Sequence, residues 1–241
     1  MKKIFTPFIA LAIFATATAQ EKTRIEPSGK IITKEVSVQP FDGIDAKGLY
    51  ELVLSQGDRE SVKIEADDNL MDLFSVKNNG SRLIIDMPDL KDKNIDFKDN
   101  DGKKSLKLKV YVTFKNIKHL EVAVIGNVHS ATALKSSDFT LESKNVGNIN
   151  LELTADKLTV ENKGVGNITL RGNVKNADVI NRGVGQFEGE DLLVQTMNID
   201  NKGVGRANVN VEKDLTIKQT FLGKVNNKGA AKTHAMEGVE M

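Results

Sequence analysis

The chain has 241 residues, 34 basic against 33 acidic ones, a formal net charge of +1, two tyrosines, no tryptophan and no cysteine. A near-neutral balance carries no nucleic-acid footprint, and without cysteines the fold must be held by packing and hydrogen bonds alone. The lack of Trp and the shortage of Tyr remove the flat amphipathic rings that commonly grip sugars, which counts against a dedicated carbohydrate-active cleft.

The N-terminus, MKKIFTPFIALAIFATATAQ, has the pattern of a secretory signal peptide. Lys2 and Lys3 form a positive region, Ile4 to Ala15 an apolar run too short to span a bilayer, and Ala17-Thr18-Ala19 a small-x-small cleavage site. The expected mature chain begins near Gln20, with one more acidic than basic residue once Lys2 and Lys3 are gone. No Cys follows the apolar run, so lipid anchoring through an N-terminal Cys is not expected. Segment 20–39 leads into a domain expected over 40–228, and 229–241 is read as a tail or cap.

From residue 30 to 124 apolar and polar residues alternate in short runs. Strands are expected over 31–38, 49–54, 61–65, 82–86, 106–114 and 120–125, and a short helix over 68–74. Turn signals separate them at Gln56-Gly57-Asp58, Asn78-Asn79-Gly80 and Asn100-Asp101-Gly102.

Beyond residue 120 the chain repeats itself. Gly126, Gly147, Gly166, Gly185, Gly205 and Gly223 recur at intervals of 18 to 21 residues. Val146, Val165, Val184, Val204 and Leu222 precede five of them, each after an alternating strand. Two or three short strands in such a unit cannot bury an apolar face alone. Stacking units every ~4.8 Å lets each backbone bond to the coils above and below, giving an all-β solenoid of about 20 residues per coil with a strand-rich N-terminal part. A β-sandwich of even spacing is the competing architecture, and the period of two disfavours helical repeats.

Within this solenoid Gly164, Gly183 and Gly203 are expected to take positive φ at the corner, with Asn145 substituting in one coil. Val160, Val179, Val165 and Val184 are expected to point inward, so Val165→Asp should unfold the protein. Asn162, Asn181 and Asn201 share the inward parity and should stack as an amide ladder with Ser143 and Gln219 at its ends. A phosphate-cradling glycine loop occurs once, between a strand and a helix. Gly-Val-Gly recurs here between strands, so it reads as a corner, and no cofactor is expected.

The run FDGIDAKGLYELVLSQGDRESVKIEADDNLMDLFSVKNNGSRLIID, followed by repeated V-G-N-I/V-x-L units, resembles the putative auto-transporter adhesin, head GIN domain family over roughly residues 40 to 225. The resemblance implies a right-handed parallel β-helix of the Bacteroidetes type and a role in adhesion, with no catalytic residues to carry over. A C-terminal membrane barrel, which an autotransporter needs, is not expected in the stretch left before Met241.

Candidate chemistry concentrates at the corner. Lys144, Lys163, Arg182 and Lys202 form an outward basic row suited to an anionic glycan or to lipopolysaccharide phosphates, and Glu142, Glu161 and Asp200 form an acidic row two residues earlier, broken by Ile180. Mutual compensation favours a solvated face over a ligand site. Glu188, Glu190 and Asp191 around Gly189 offer carboxylates for glycoside chemistry, but read better as a bulge or loop. Asp99-Asn100-Asp101-Gly102 fails as a calcium loop and reads as a hairpin tip. His119, His129 and His234 are read as isolated, so no metal site is expected.

The reading favours an exported, non-enzymatic binding module for surface glycan or an envelope protein, periplasmic, outer-membrane-associated or extracellular. A polysaccharide-acting enzyme and an assembly protein that oligomerises through its solenoid ends are the alternatives.

Overall fold

In the computed structural model, residues 23–88, 93–95, 107–220 and 222–237 are described. The first strands are β1 (Thr23–Ile25), β2 (Ile31–Val36), β3 (Gly43–Gly48), β4 (Glu51–Gln56) and β5 (Ser61–Asp67). A short 3-10 helix, Asp68–Leu73, leads into β6 (Ser75–Asn79), β7 (Arg82–Asp86), β8 (Lys93–Ile95) and β9 (Lys109–Phe114). Then come β10 (His119–Val124), β11 (Val128–Ser130), β12 (Leu134–Ser143), β13 (Ile149–Asn162), β14 (Ile168–Asn181), β15 (Phe187–Asn201), β16 (Ala207–Gln219), β17 (Val225–Asn227) and β18 (Lys232–Glu237). The architecture is a β-solenoid of about six turns with about 19 residues per turn.

The repeat follows from side-chain parity. In β13 the inward residues are Ile149, Leu151, Leu153, Ala155, Leu158, Val160 and Asn162. Asp156 and Lys157 are both exposed, so the alternation slips there and the strand wraps onto a second face. Parallel pairing stacks homologous residues, as in the inward column Leu141, Val160, Val179, Ile199 and Ile217. Burying each such aliphatic contributes about 1.5–3 kcal/mol before entropy is counted. Columns adjust by volume: Phe187 stacks on Ala207, a large ring beside the smallest side chain.

The first half is ordered less simply than its sequence. β3 pairs in parallel with β10 on one side and with β7 on the other. Likewise β4 lies between β11 and β9. The pair β7 and β9 thus forms the coil beneath β3 and β4, although it comes later in the chain. The end of the stack is closed by antiparallel pairing, β2 on β5, β5 on β9 and β6 on β7. Gly80, at φ 59°, makes the β6–β7 turn. The Asn100-Asp101-Gly102 turn and the Asp99 loop lie outside the described residues.

Two corner expectations are corrected. Gly164, Gly183 and Gly203 do not take positive φ, nor does Asn145; the positive values belong to Gly126, Gly147, Gly166, Gly185 and Gly205. Gly164 is needed for space instead, because a Cβ there would meet the Asn145 backbone oxygen at 2.5 Å. Val165 and Val184 point outward, not inward. The alternation that buries Val160 and Asn162 runs on to Gly164, so Val165 falls on the outer side. Val165→Asp therefore loses its reason to unfold the chain.

Candidate functional site

At the corner two successive residues of each coil remain inside the hydrogen-bond ladder. Val165 donates its N–H to the Asn145 carbonyl at 2.8 Å, and Gly166 donates to the Val184 carbonyl at 2.9 Å. One residue thus bonds to the coil below and the next to the coil above, which keeps successive corners in line. Single bridges join Ile125, Val146, Val165, Val184 and Val204 in that order.

Behind the corner, the amide ladder is present. Asn162 Nδ2 donates to Asn181 Oδ1 at 2.8 Å, and Asn181 Nδ2 to Asn201 Oδ1 at 2.8 Å. Asn201 Nδ2 donates in turn to the Lys224 carbonyl at 3.1 Å. Ser143 stacks on Asn162 and its Oγ accepts the Asn145 N–H. Gln219 is in register with Asn201 but exposed, and its Oε1 accepts the Val225 N–H. The sequence reading missed a second, outer ladder. Oδ1 of Asn127, Asn148 and Asn167 accepts the backbone N–H of Asn148, Asn167 and Gln186 respectively. The V-G-N spacing carried that signal.

In front of the ladder stands an exposed row that includes Val165 and Val184, the two members expected to point inward. Ile125, Val146, Val165, Val184, Val204 and Leu222 are 58%, 48%, 52%, 49%, 49% and 59% exposed. Stacked once per coil, they make an apolar line ~24 Å long. Lys144, Lys163, Arg182 and Lys202 flank it two residues earlier, and Arg206 and Lys224 two residues later.

The acidic row holds part of the first cation row. Lys163 Nζ lies 2.6 Å from Glu161 Oε1, Arg182 Nη1 3.3 Å from the same oxygen, and Lys202 Nζ 3.0 Å from Asp200 Oδ2. Lys144 reaches back to Glu121 at 3.4 Å. The Lys163 hydrogen bond, with the charges of Arg182 and Lys144, lowers the Glu161 pKa below its ordinary value. The acids of these pairs are half-buried and the cations exposed, so solvent still screens the pairs and each is weak.

Cavities among the described residues include the following two. One of about 330 Å³ sits at the foot of the apolar row, between Leu49, Tyr50, Leu108, Lys109 and Ile125. A polar groove of about 670 Å³ runs along β2, β5 and β9. Its Tyr111 carries Lys63 Nζ 4.4 Å above the ring centroid.

The histidines are less isolated than expected. His119 Nε2 lies 3.7 Å from Glu142, His129 Nδ1 3.4 Å from Glu51, and His234 Nε2 3.9 Å from Asp214. Asp45, His119 and Glu121 bring ligand-type atoms within 4.8 Å of one another. Arg82 Nη2 already occupies that cluster, 2.5 Å from Asp45 and 3.9 Å from Glu121. A cation would have to displace a guanidinium. The carboxylates around Gly189 are dispersed along a bulge: the register slips between Thr169 and Arg171, Glu188 accepts a bond from Asn208, and Asp191 pairs with Arg171.

Comparison with known proteins places these features in a group. The family model described as putative auto-transporter adhesin, head GIN domain matches residues 40–231. A solved structure of a putative adhesin from Bacteroides fragilis has 26% identity and a TM-score of 0.72, over 88% of this chain and 100% of that one. Two structures from Parabacteroides distasonis, a putative lipid binding protein and a putative adhesin, have 18% and 20% identity with TM-scores of 0.63 and 0.62. Each covers 88% of this chain and 95% of its own, and at these identities they share the fold alone. No curated protein matches the sequence.

Proposed function

Because the chain belongs to the putative auto-transporter adhesin, head GIN domain family, we propose that it is an exported, non-enzymatic binding module whose working face is the Val-Gly corner. The observation that carries this reading is the straight row of exposed aliphatics from Ile125 to Leu222 between two sets of cations. A folded monomer gains nothing from six aligned aliphatic side chains in water, whereas a contiguous apolar patch rimmed by polar groups is the ordinary mark of an interaction surface. Its rigidity suits binding, because the ladders behind and beside it fix the spacing before any ligand arrives. Export agrees with the N-terminal segment of the sequence, and no helix among the described residues is long and apolar enough to cross a membrane.

The ligand expected from the charge pattern is an anionic component of a cell surface. The test is binding of residues 20–241 to intact bacterial cells and to a broad glycan array, with Lys163, Arg182 and Lys202 changed together to Ser. Salt-sensitive binding that the triple variant loses supports the corner as the working face. Cell binding that the triple variant retains in full would sink it.

A further inference from the structure

The row of aliphatics and the cations beside it have to be satisfied together. From Lys144 onward the described residues of the three rows forming the corner include Lys144, Lys163, Arg182, Lys202, Arg206 and Lys224, and none of them is a carboxylate. The acids Glu142, Glu161 and Asp200 lie outside the corner, on the flat face behind it. No ion pair is found for Arg206 or Lys224 among the described residues. The charge is therefore partly segregated: Lys144, Lys163, Arg182 and Lys202 stand at the edge with their paired acids behind them, and Arg206 and Lys224 add further positive charge there.

Four kinds of occupant can be compared on this chemistry. A second copy meeting this one corner to corner would press like charges together. A folded protein partner needs roughly 800 Å² from each side, which a corner three rows wide and ~24 Å long does not offer. A polyanionic glycan would use the cations and leave the aliphatics in water. A lipid surface uses both, since branched aliphatics enter the boundary between headgroups and chains while Lys and Arg lay their stems along it and reach the phosphates.

We propose that the corner row is a membrane-docking edge, seating the solenoid lengthwise on a bilayer that carries anionic phosphate headgroups. This rests on the reading of the corner as the working face and names its partner. Val146, Val165, Val184 and Val204 supply the inserted line, and Ile125 and Leu222 extend it. Binding then needs both terms: each cation adds a modest salt-sensitive attraction, and the aliphatics add one that salt does not screen.

The test is flotation of residues 20–241 with vesicles of phosphatidylcholine containing phosphatidylglycerol, and with vesicles of phosphatidylcholine alone. Two variants accompany it. Val146, Val165, Val184 and Val204 changed together to Thr keep the branched shape and remove apolar surface; Lys144, Lys163, Arg182 and Lys202 changed to Gln keep length and remove charge. The expected result is partition onto the anionic vesicles only, reduced at least ~tenfold by either variant. Failure of the unaltered protein to bind anionic vesicles at low salt overturns the proposal. So does full binding by the Thr variant, which would mean adsorption by charge alone. Binding to cells or glycans without binding to vesicles removes the bilayer as partner while leaving the corner as the working face. Loss of vesicle binding in both variants, with circular dichroism unchanged, supports it.

Discussion

A methyl group added to Gly166 would fall onto the Gly147 carbonyl oxygen, and φ there is +127°. Both the backbone conformation and the spacing of coils forbid it, because the carbonyl oxygen of the corner glycine one coil below meets each corner glycine from Gly147 to Gly205. Gly166→Ala is expected to cost about 3 kcal/mol, roughly 10 °C of Tm in a chain of this size. Its neighbour behaves oppositely. Val165 is half exposed, and Val165→Asp is expected to cost less than about 1 kcal/mol. Thermal melts of the two variants side by side check the corner residue by residue, and a larger loss from the aspartate would return Val165 to the core. Asn181 is the third case. Its amide joins Asn162 to Asn201 and accepts the Gly183 N–H. Asn181→Leu strands two buried donors, on Asn162 and Gly183, and a buried acceptor on Asn201, for a loss of about 3 kcal/mol. A urea midpoint that falls with an unchanged slope would show that loss, and an unmoved midpoint would mean the ladder is ornamental to stability.

At the scale of a strand, the rows matter more than single pairs. Glu161 sits between Lys163 and Arg182, and its carboxyl keeps its charge to lower pH in the fold than in the unfolded chain, where the ordinary value is 4.5. The stabilisation from that difference is complete above the ordinary value and disappears as pH falls through the lower, folded one. Glu161→Gln is therefore expected to track a constant offset from the unaltered protein down to about pH 5 and to show a shallower acid decline below 4.5, with the whole effect under about 1 kcal/mol. Urea midpoints from pH 7 to 3 measure it, and parallel curves throughout would dismiss the pair. The rows also explain what was legible. Asn162, Asn181 and Asn201 were readable as inward because they keep the parity of Val160, Val179 and Ile199. Val165 was misread because its apolar side chain outweighed that same parity, which places it outside. Positive φ was assigned two residues early because Gly164 and Gly166 look alike in sequence, and only contact with neighbouring coils separates a space requirement from a conformational one. The cluster of Asp45, His119 and Glu121 was invisible because its members are joined by the pairing of β3 with β10, across more than seventy positions.

Over the whole molecule, the two ends of the stack set its behaviour. A solenoid stabilised by neighbour contacts leaves an unpaired strand at each terminus, a template for another chain. The N-terminal end solves this by sending the chain back under its own first coil and closing with antiparallel β2, β5 and β6, an order of strands that no periodicity announces. The C-terminal end relies on β17 and β18, which cover Ala207–Val209 and Asp214–Gln219 of β16. β18 is six residues long, and its Lys232, Thr233, His234 and Ala235 are exposed, so its own edge is short and polar. Removing residues 225–241 would uncover the 13-residue β16 and the core beneath it, including Val209, Val211, Leu215 and Ile217. The shortened chain is expected to self-associate in light scattering at concentrations where residues 20–241 keep a single low mass, and to melt several degrees lower. If it keeps the same mass and the same Tm, β17 and β18 do not act as a cap. Association already present in the longer chain would instead make its C-terminal edge an interface.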